Sequence, residues 1–113
     1  MVDVSFISLR KVLPAVLACA AERFDALAMV KPQFEAGREH VSRGGVVREP
    51  AARRGALTDV AECAQALGAA VLGFAPSGLP GPKGNRETFL WLAEADRAGA
   101  VGDLGAAAAA VEA

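Results

Sequence analysis

Apolar residues recur along the chain at two spacings, every second position and every third or fourth, and the switches between them lay out strands and helices. Residues 2–7 alternate, Val2, Val4 and Phe6 against Asp3, Ser5 and Ile7, and read as a strand end running into a turn. Ser8 suits the cap of a helix whose apolar stripe is Leu9, Val12, Leu13, Val16, Leu17 and Ala20. Pro14 lacks the N–H that would bond back to Arg10. The regular helix is therefore predicted to start near Leu13, with Pro14 in its first turn, and to end around Glu22 to Phe24. Ala26 to Val30 is apolar throughout, the pattern of a strand covered on both faces, and Lys31-Pro32 stops it.

Gln33 to Glu49 reads as a polar connecting loop, in which Gly37, Gly44 and Gly45 are too sparse to define a phosphate cradle. Glu49-Pro50 opens a second helix with Leu57, Val60, Ala61, Ala64 and Leu67 as its buried stripe and Gly68 as its stop. Val71 to Ala75 is the next strand. From Pro76 the chain enters a loop in which Pro76, Pro80 and Pro82 are interleaved with Gly78, Gly81 and Gly84, ending at Asn85. Proline fixes φ and glycine permits φ > 0, so the shape of this loop is largely set in advance of any ligand. It leads into an alternating strand, with Thr88, Leu90 and Leu92 on one side and Glu87, Phe89 and Trp91 on the other. Residues 93–113 are rich in alanine and glycine, with alanine at every position from 106 to 110, and read as a tail, either a loosely held helix or disordered, with no function assigned.

The order strand, helix, strand, helix, strand, long loop, strand predicts an α/β fold, with parallel strands joined by right-handed crossovers and an antiparallel last strand. Four strands and two helices make half of a doubly wound sheet, and the first strand is barely a strand's length. The expectation is the carboxyl-terminal part of a larger domain over residues 1–92, followed by the tail at 93–113. Lys31 closes a strand at its carboxyl edge, where open α/β sheets hold their ligands.

A length of 113 residues suits one domain, and 53% hydrophobic residues argue against a disordered chain. With 12 basic and 13 acidic residues the chain is no polycation, but the charge is uneven. Lys31 to Arg54 carries Lys31, Arg38, Arg43, Arg48, Arg53 and Arg54 against Glu35, Glu39 and Glu49, a bias suited to a polyanion. Residues 94–113 are acidic, with Glu94, Asp96, Asp103 and Glu112 against Arg97. Cys19 and Cys63 have no short-range partner or metal spacing and read as reduced core thiols; a lone His40 founds no metal site. No window approaches the roughly 18 apolar residues of a membrane span, so stable membrane insertion is not expected. The start lacks the pattern of a signal peptide, and a cytoplasmic protein is expected.

Three segments in this order and spacing, V-D-V-S-F-I-S-L (2–9), V-K-P-Q-F-E (30–35) and G-P-K-G-N-R-E (81–87), resemble the TlyA family of haemolysin-like ribosomal RNA 2′-O-methyltransferases. G-G-V-V-R-E-P (44–50) fits the same family, and the resemblance covers roughly residues 2–92. It implies a Rossmann-like, FtsJ-like catalytic domain that uses S-adenosylmethionine and carries a Lys-Asp-Lys-Glu tetrad. Asp3 matches the tetrad aspartate, also placed at the cofactor, Lys31 the second lysine and Glu87 the glutamate. The first lysine, the glycine-rich cofactor loop, the acidic residue after the second strand and the preceding S4-like RNA-binding domain have no counterpart in these residues. The resemblance thus implies a truncated chain, inactive alone, whose partners are the upstream part of its domain and ribosomal RNA or a ribosomal subunit.

The implied chemistry makes sense of the residue types. A ribose 2′-hydroxyl is a weak nucleophile, so methyl transfer needs in-line positioning and a place for the hydroxyl proton. A lysine held between carboxylates orients that hydroxyl and, if partly desolvated, takes the proton. Lys83 and Asn85 are candidates to contact the RNA and Ser77 a further one near it or the cofactor, although the same loop equally serves as a rigid scaffold for Glu87. Arg38, Arg43 and Arg48 either meet phosphates or form a solvated basic loop. Two competing readings are a pore-forming haemolysin and a non-catalytic gene fragment.

Overall fold

The structure is a computed structural model that describes residues 9–18, 22–35, 50–80 and 86–112. Its centre is a three-stranded sheet in the order β1-β3-β2, with β1 at Asp25–Val30, β2 at Ala69–Pro80 and β3 at Arg86–Glu94. β3 runs antiparallel to both neighbours. β1 and β2 therefore point the same way and are joined by a crossover through a helix, while the last strand inserts between them. The antiparallel last strand matches the sequence expectation.

The register follows from hydrophobic alternation. Thr88, Leu90 and Leu92 are buried on one side of β3, whereas Trp91 on the other is 43% exposed. Ala28 and Val30 of β1 lie opposite Leu90 and Thr88 and are buried with them. Leu27 stands opposite Trp91 and shares its exposure, so β1 is covered on one face by this chain rather than on both as its apolar run suggested.

Helix α1 spans Leu9–Ala18 with Pro14 inside it, four residues earlier than the proline rule suggested. Pro14 deprives one carbonyl, that of Arg10 in the first turn, and its ring lies on the exposed side where water replaces the missing donor. Leu13 turns inward and is 1% exposed. The expected loop after β1 instead opens with a single helical turn, α2, Pro32–Glu35, its φ preset by the buried Pro32.

Helix α3, Pro50–Ala66, begins at the predicted proline and buries Ala56, Leu57, Val60, Ala61 and Ala64 against the sheet. Leu67 falls in the turn beyond the helix and is 43% exposed, against its assignment to the stripe. Gly68 adopts φ 92° and stops the helix as read from sequence, its N–H bonding to the Gln65 carbonyl at 2.9 Å. β2 continues to Pro80, through residues expected to be loop. It is an edge strand, and an edge tolerates prolines because outward N–H groups have no partner to lose. The ladder with β3 shifts register between Val71 and Gly73 and again between Pro76 and Pro80.

The alanine-rich segment forms α4, Leu104–Glu112, capped by Asp103 Oδ1 accepting from the Ala106 N–H at 3.0 Å. It packs on α3 and β2 with Ala108 fully buried, and the Val101 N–H ties the approach to the Val71 carbonyl at 2.8 Å. Leu13, Val30, Val60, Val71, Leu90 and Leu92 are the largest fully buried side chains of the core between sheet and helices.

Candidate functional site

The β1–β3 ladder ends at the pair Val30↔Thr88, whose members are 0% and 4% exposed. The next position outward holds Lys31, just past β1, and Glu87, still within β3, both partly buried. Pro32 then turns the chain into α2, which carries Gln33 back towards β3. Gln33 Nε2 donates to Glu87 Oε2 at 3.3 Å.

The other end of that amide is informative. Gln33 Oε1 is buried with no hydrogen-bond partner among the described residues, an arrangement that costs on the order of 1–3 kcal/mol. Reversing the amide would set its oxygen against the Glu87 carboxylate, so the orientation with Nε2 on Glu87 is the better of the two.

A second anchor holds α2 from outside. The Glu35 side chain is 1% exposed and accepts from Arg10 Nε at 3.3 Å, while Arg10 Nη2 donates to the Glu35 carbonyl at 3.1 Å. A buried carboxylate requires such pairing. α3 packs on the same turn and carries the buried Arg53. The turn that follows Lys31 is thus held by α1 on one side and by β3 on the other. Sequence reading assigned no role to Gln33, Glu35 or Arg10. Gln33 and Glu35 sit inside V-K-P-Q-F-E and were within reach; Arg10, 25 residues from Glu35, left no signal.

Of the residues singled out from the sequence, Lys31 and Glu87 come together at one sheet end. Asp3, Arg38, Arg43, Arg48, Lys83 and Asn85 lie outside the described residues, as do Cys19 and His40. Ser77 is on β2. The carboxamide of Gln33 meets the carboxylate of Glu87, and Lys31 stands at the neighbouring position of β1's end. A lysine in its neutral form next to a carboxylate is suited to orienting a hydroxyl and taking its proton. Among the described residues no cluster of three or more His, Cys, Asp or Glu could hold a metal ion, and no helix is long and apolar enough to cross a membrane.

The opposite end of the same two strands carries a second polar cluster, also missed. Arg97, just past β3, donates through Nη1 to Asp25 Oδ1 at 2.9 Å and through Nη2 to Glu94 Oε1 at 2.9 Å and the Phe24 carbonyl at 3.1 Å; its Nε also reaches Glu94 Oε2. Trp91 Nε1 donates to Asp25 Oδ1 at 3.0 Å, and the Phe24 N–H to Glu94 Oε1 at 3.0 Å. The Arg97 hydrogen bond, aided by the Phe24 N–H, outweighs burial and holds the Glu94 carboxyl down to about 2. Arg97 and then Trp91 lower Asp25, and the two carboxylates in turn raise Arg97 above its usual range. This clamp ties the start of β1 to the end of β3, away from Lys31 and Glu87.

Comparison with known proteins supplies the context for this geometry. The profile of the FtsJ-like methyltransferases matches residues 1–94. The 16S/23S rRNA (cytidine-2′-O)-methyltransferase TlyA of Mycobacterium tuberculosis is 50% identical over 97 residues, 85% of this chain and 36% of that protein. YqxC of Bacillus subtilis, provisionally named an rRNA methyltransferase, is 42% identical over 91 residues, 80% of this chain and 32% of that protein. A solved structure from Streptococcus thermophilus, provisionally named a hemolysin, superposes with a TM-score of 0.85 at 35% identity, covering 97% of this chain and 40% of that one. The chain spans about a third of the length of the curated relatives it matches. With the profile extending over most of its length and the fold shared by its relatives, the chain belongs to the FtsJ-like methyltransferase family.

Proposed function

We propose that these residues act in the 2′-O-methylation of ribose in ribosomal RNA, with S-adenosylmethionine as methyl donor. The observation that carries the reading is the placing of Lys31 and Glu87 at neighbouring positions beyond the Val30↔Thr88 pair, in a chain 50% identical over 97 residues to an rRNA cytidine-2′-O-methyltransferase. An amine, a carboxylate and an amide at that end fit a hydroxyl-bearing acceptor. S-adenosylmethionine, when bound, supplies an electrophilic methyl group carried on a sulfonium.

In this reading Lys31, as the neutral amine, orients the 2′-hydroxyl and takes its proton, and Asp3 and Glu87 stabilise the ammonium that results, Asp3 also lying beside the donor. Lys83 and Asn85 contact the RNA, and Arg38, Arg43 and Arg48 meet its phosphates, a contribution that weakens with salt. The partners are a ribosomal subunit or its RNA, the remainder of the catalytic domain and an S4-like RNA-binding domain, all in the cytoplasm. Methyl transfer without dye release from liposomes separates this reading from pore formation.

The test is Lys31→Ala in the protein that carries these residues within its complete catalytic domain. Methyl transfer to ribosomal RNA is expected to fall by about 100-fold or more, with the thermal midpoint unchanged. Survival of activity within a few fold, in a folded variant, would overturn the assignment.

A further inference from the structure

We infer that Gln33 is a positioning residue for the proposed reaction: its carboxamide fixes the Glu87 carboxylate at the sheet end from which Lys31 emerges. The inference rests on the methyltransferase reading above and adds to it a residue with no assigned role.

Glu87 opens β3 with three rotatable side-chain bonds and partial access to water. Left alone, such a side chain populates several rotamers. Among the described residues one side chain hydrogen-bonds it, that of Gln33, at 3.3 Å. The Gln33 backbone is itself held. Pro32 is buried and presets the turn, and two residues beyond Gln33 the Glu35 carboxylate and carbonyl are both taken by Arg10. Gln33 is therefore a fixed peg from which one amide group reaches the carboxylate.

The direction of that amide favours positioning over mere fastening. Oε1 is left buried and without a donor among the described residues while Nε2 serves Glu87. A glutamine that only filled space between α2 and the sheet would have no need to aim its donor at the carboxylate of Glu87, the strand position next to Lys31. For in-line transfer, where a displacement of about 1 Å costs on the order of 100-fold in rate, a carboxylate held in one rotamer matters more than one that is merely present.

The experiment uses the protein with its complete catalytic domain and ribosomal RNA as acceptor. Gln33→Leu keeps the shape and removes the donor. It is expected to lower kcat about 10-fold, with KM for RNA and for the methyl donor within about twofold and the thermal midpoint little changed. Gln33→Glu sets a second carboxylate against Glu87. Its kcat relative to wild type is expected to be low at neutral pH and to climb as pH falls towards about 5, where a proton on the pair restores a donor. The charged groups on the surrounding described elements, Lys31 at the end of β1, Glu35 on α2, Arg10 on α1 and Arg53 on α3, are present in both proteins, so the ratio reports the effect of the added carboxylate on this group as a whole.

A Gln33→Leu protein with kcat within twofold of wild type overturns the inference. So does a Gln33→Glu ratio that is flat with pH, or a loss of kcat that merely tracks a lowered thermal midpoint. Glu87→Ala serves as the control: if it leaves methyl transfer intact, the catalytic reading itself fails, whereas activity lost in Glu87→Ala and kept in Gln33→Leu sinks the role of Gln33 alone.

Discussion

Arg97 joins parts of the chain that lie far apart in sequence. It bridges Asp25, 72 positions away, to Glu94, three positions away. The pH dependence of stability follows in sign from these contacts. Glu94 is depressed from 4.5 to about 2, and Asp25 is lowered as well, so both favour the folded state while ionised. Their contribution is fully present above about 4.5 and is lost as pH falls from there towards about 2. Urea midpoints measured from pH 7 to pH 2 should fall steeply over that window in the wild type. Arg97→Met, which keeps the aliphatic stem, should start lower and show a shallower decline. Equal slopes in the two proteins would mean that this clamp does not set the acid limb. Sequence reading singled out Lys31 because a charged residue closing an apolar strand stands out, and Glu87 through the family resemblance of G-P-K-G-N-R-E. It missed Asp25 and Arg97 because a charge partnered across 72 positions looks like any surface charge.

At the scale of elements, the rules that worked were those tied to backbone conformation. Gly68 was read as the stop of α3 and has φ 92°, with nothing within 4 Å of where a Cβ would stand. Gly68→Ala is therefore opposed by conformation alone, at about 1–2 kcal/mol of unfolding free energy. Gly73→Ala, in equally open space but at ordinary strand φ, should cost nothing measurable. A urea titration of both separates strain from crowding, and an equal loss in the two would refute the distinction. Leu90→Ala, at the centre of the middle strand and fully buried, should cost about 2–5 kcal/mol. The proline rules misled in two places. Pro14 deprives a single first-turn carbonyl, that of Arg10, on a side open to water, and Pro76 lies on an edge strand of the described sheet, where an outward N–H has no partner to lose. α4 was left open between a loosely held helix and disorder because alanine carries no hydrophobic stripe to decide it, and the structure shows the helix. The same small side chains let the helix settle on α3 until Ala108 is wholly covered.

For the molecule as a whole, the insertion of β3 between β1 and β2 is what gives the site its form. It sets the Lys31–Gln33–Glu87 group at one end of the β1–β3 ladder and the Arg97 clamp at the other. Seven residues of strand separate Glu87 from Glu94, roughly 23 Å at about 3.3 Å per residue. If the proposed chemistry lies at the Lys31 end, Arg97→Met should lower the thermal midpoint while leaving kcat for methyl transfer unchanged. Strand alternation made the fold class and the antiparallel last strand legible. The pairing that brings Lys31 beside Glu87 required β3 to enter between its neighbours, an order that spacing along the chain does not encode. The most direct test of the central claim is a double-mutant cycle on methyl transfer to ribosomal RNA with Lys31→Ala and Glu87→Ala in the complete catalytic domain. Two side chains acting as one unit predict that either single variant loses nearly as much activity as the pair. Losses that multiply independently, or a single variant that retains its rate, would contradict the account.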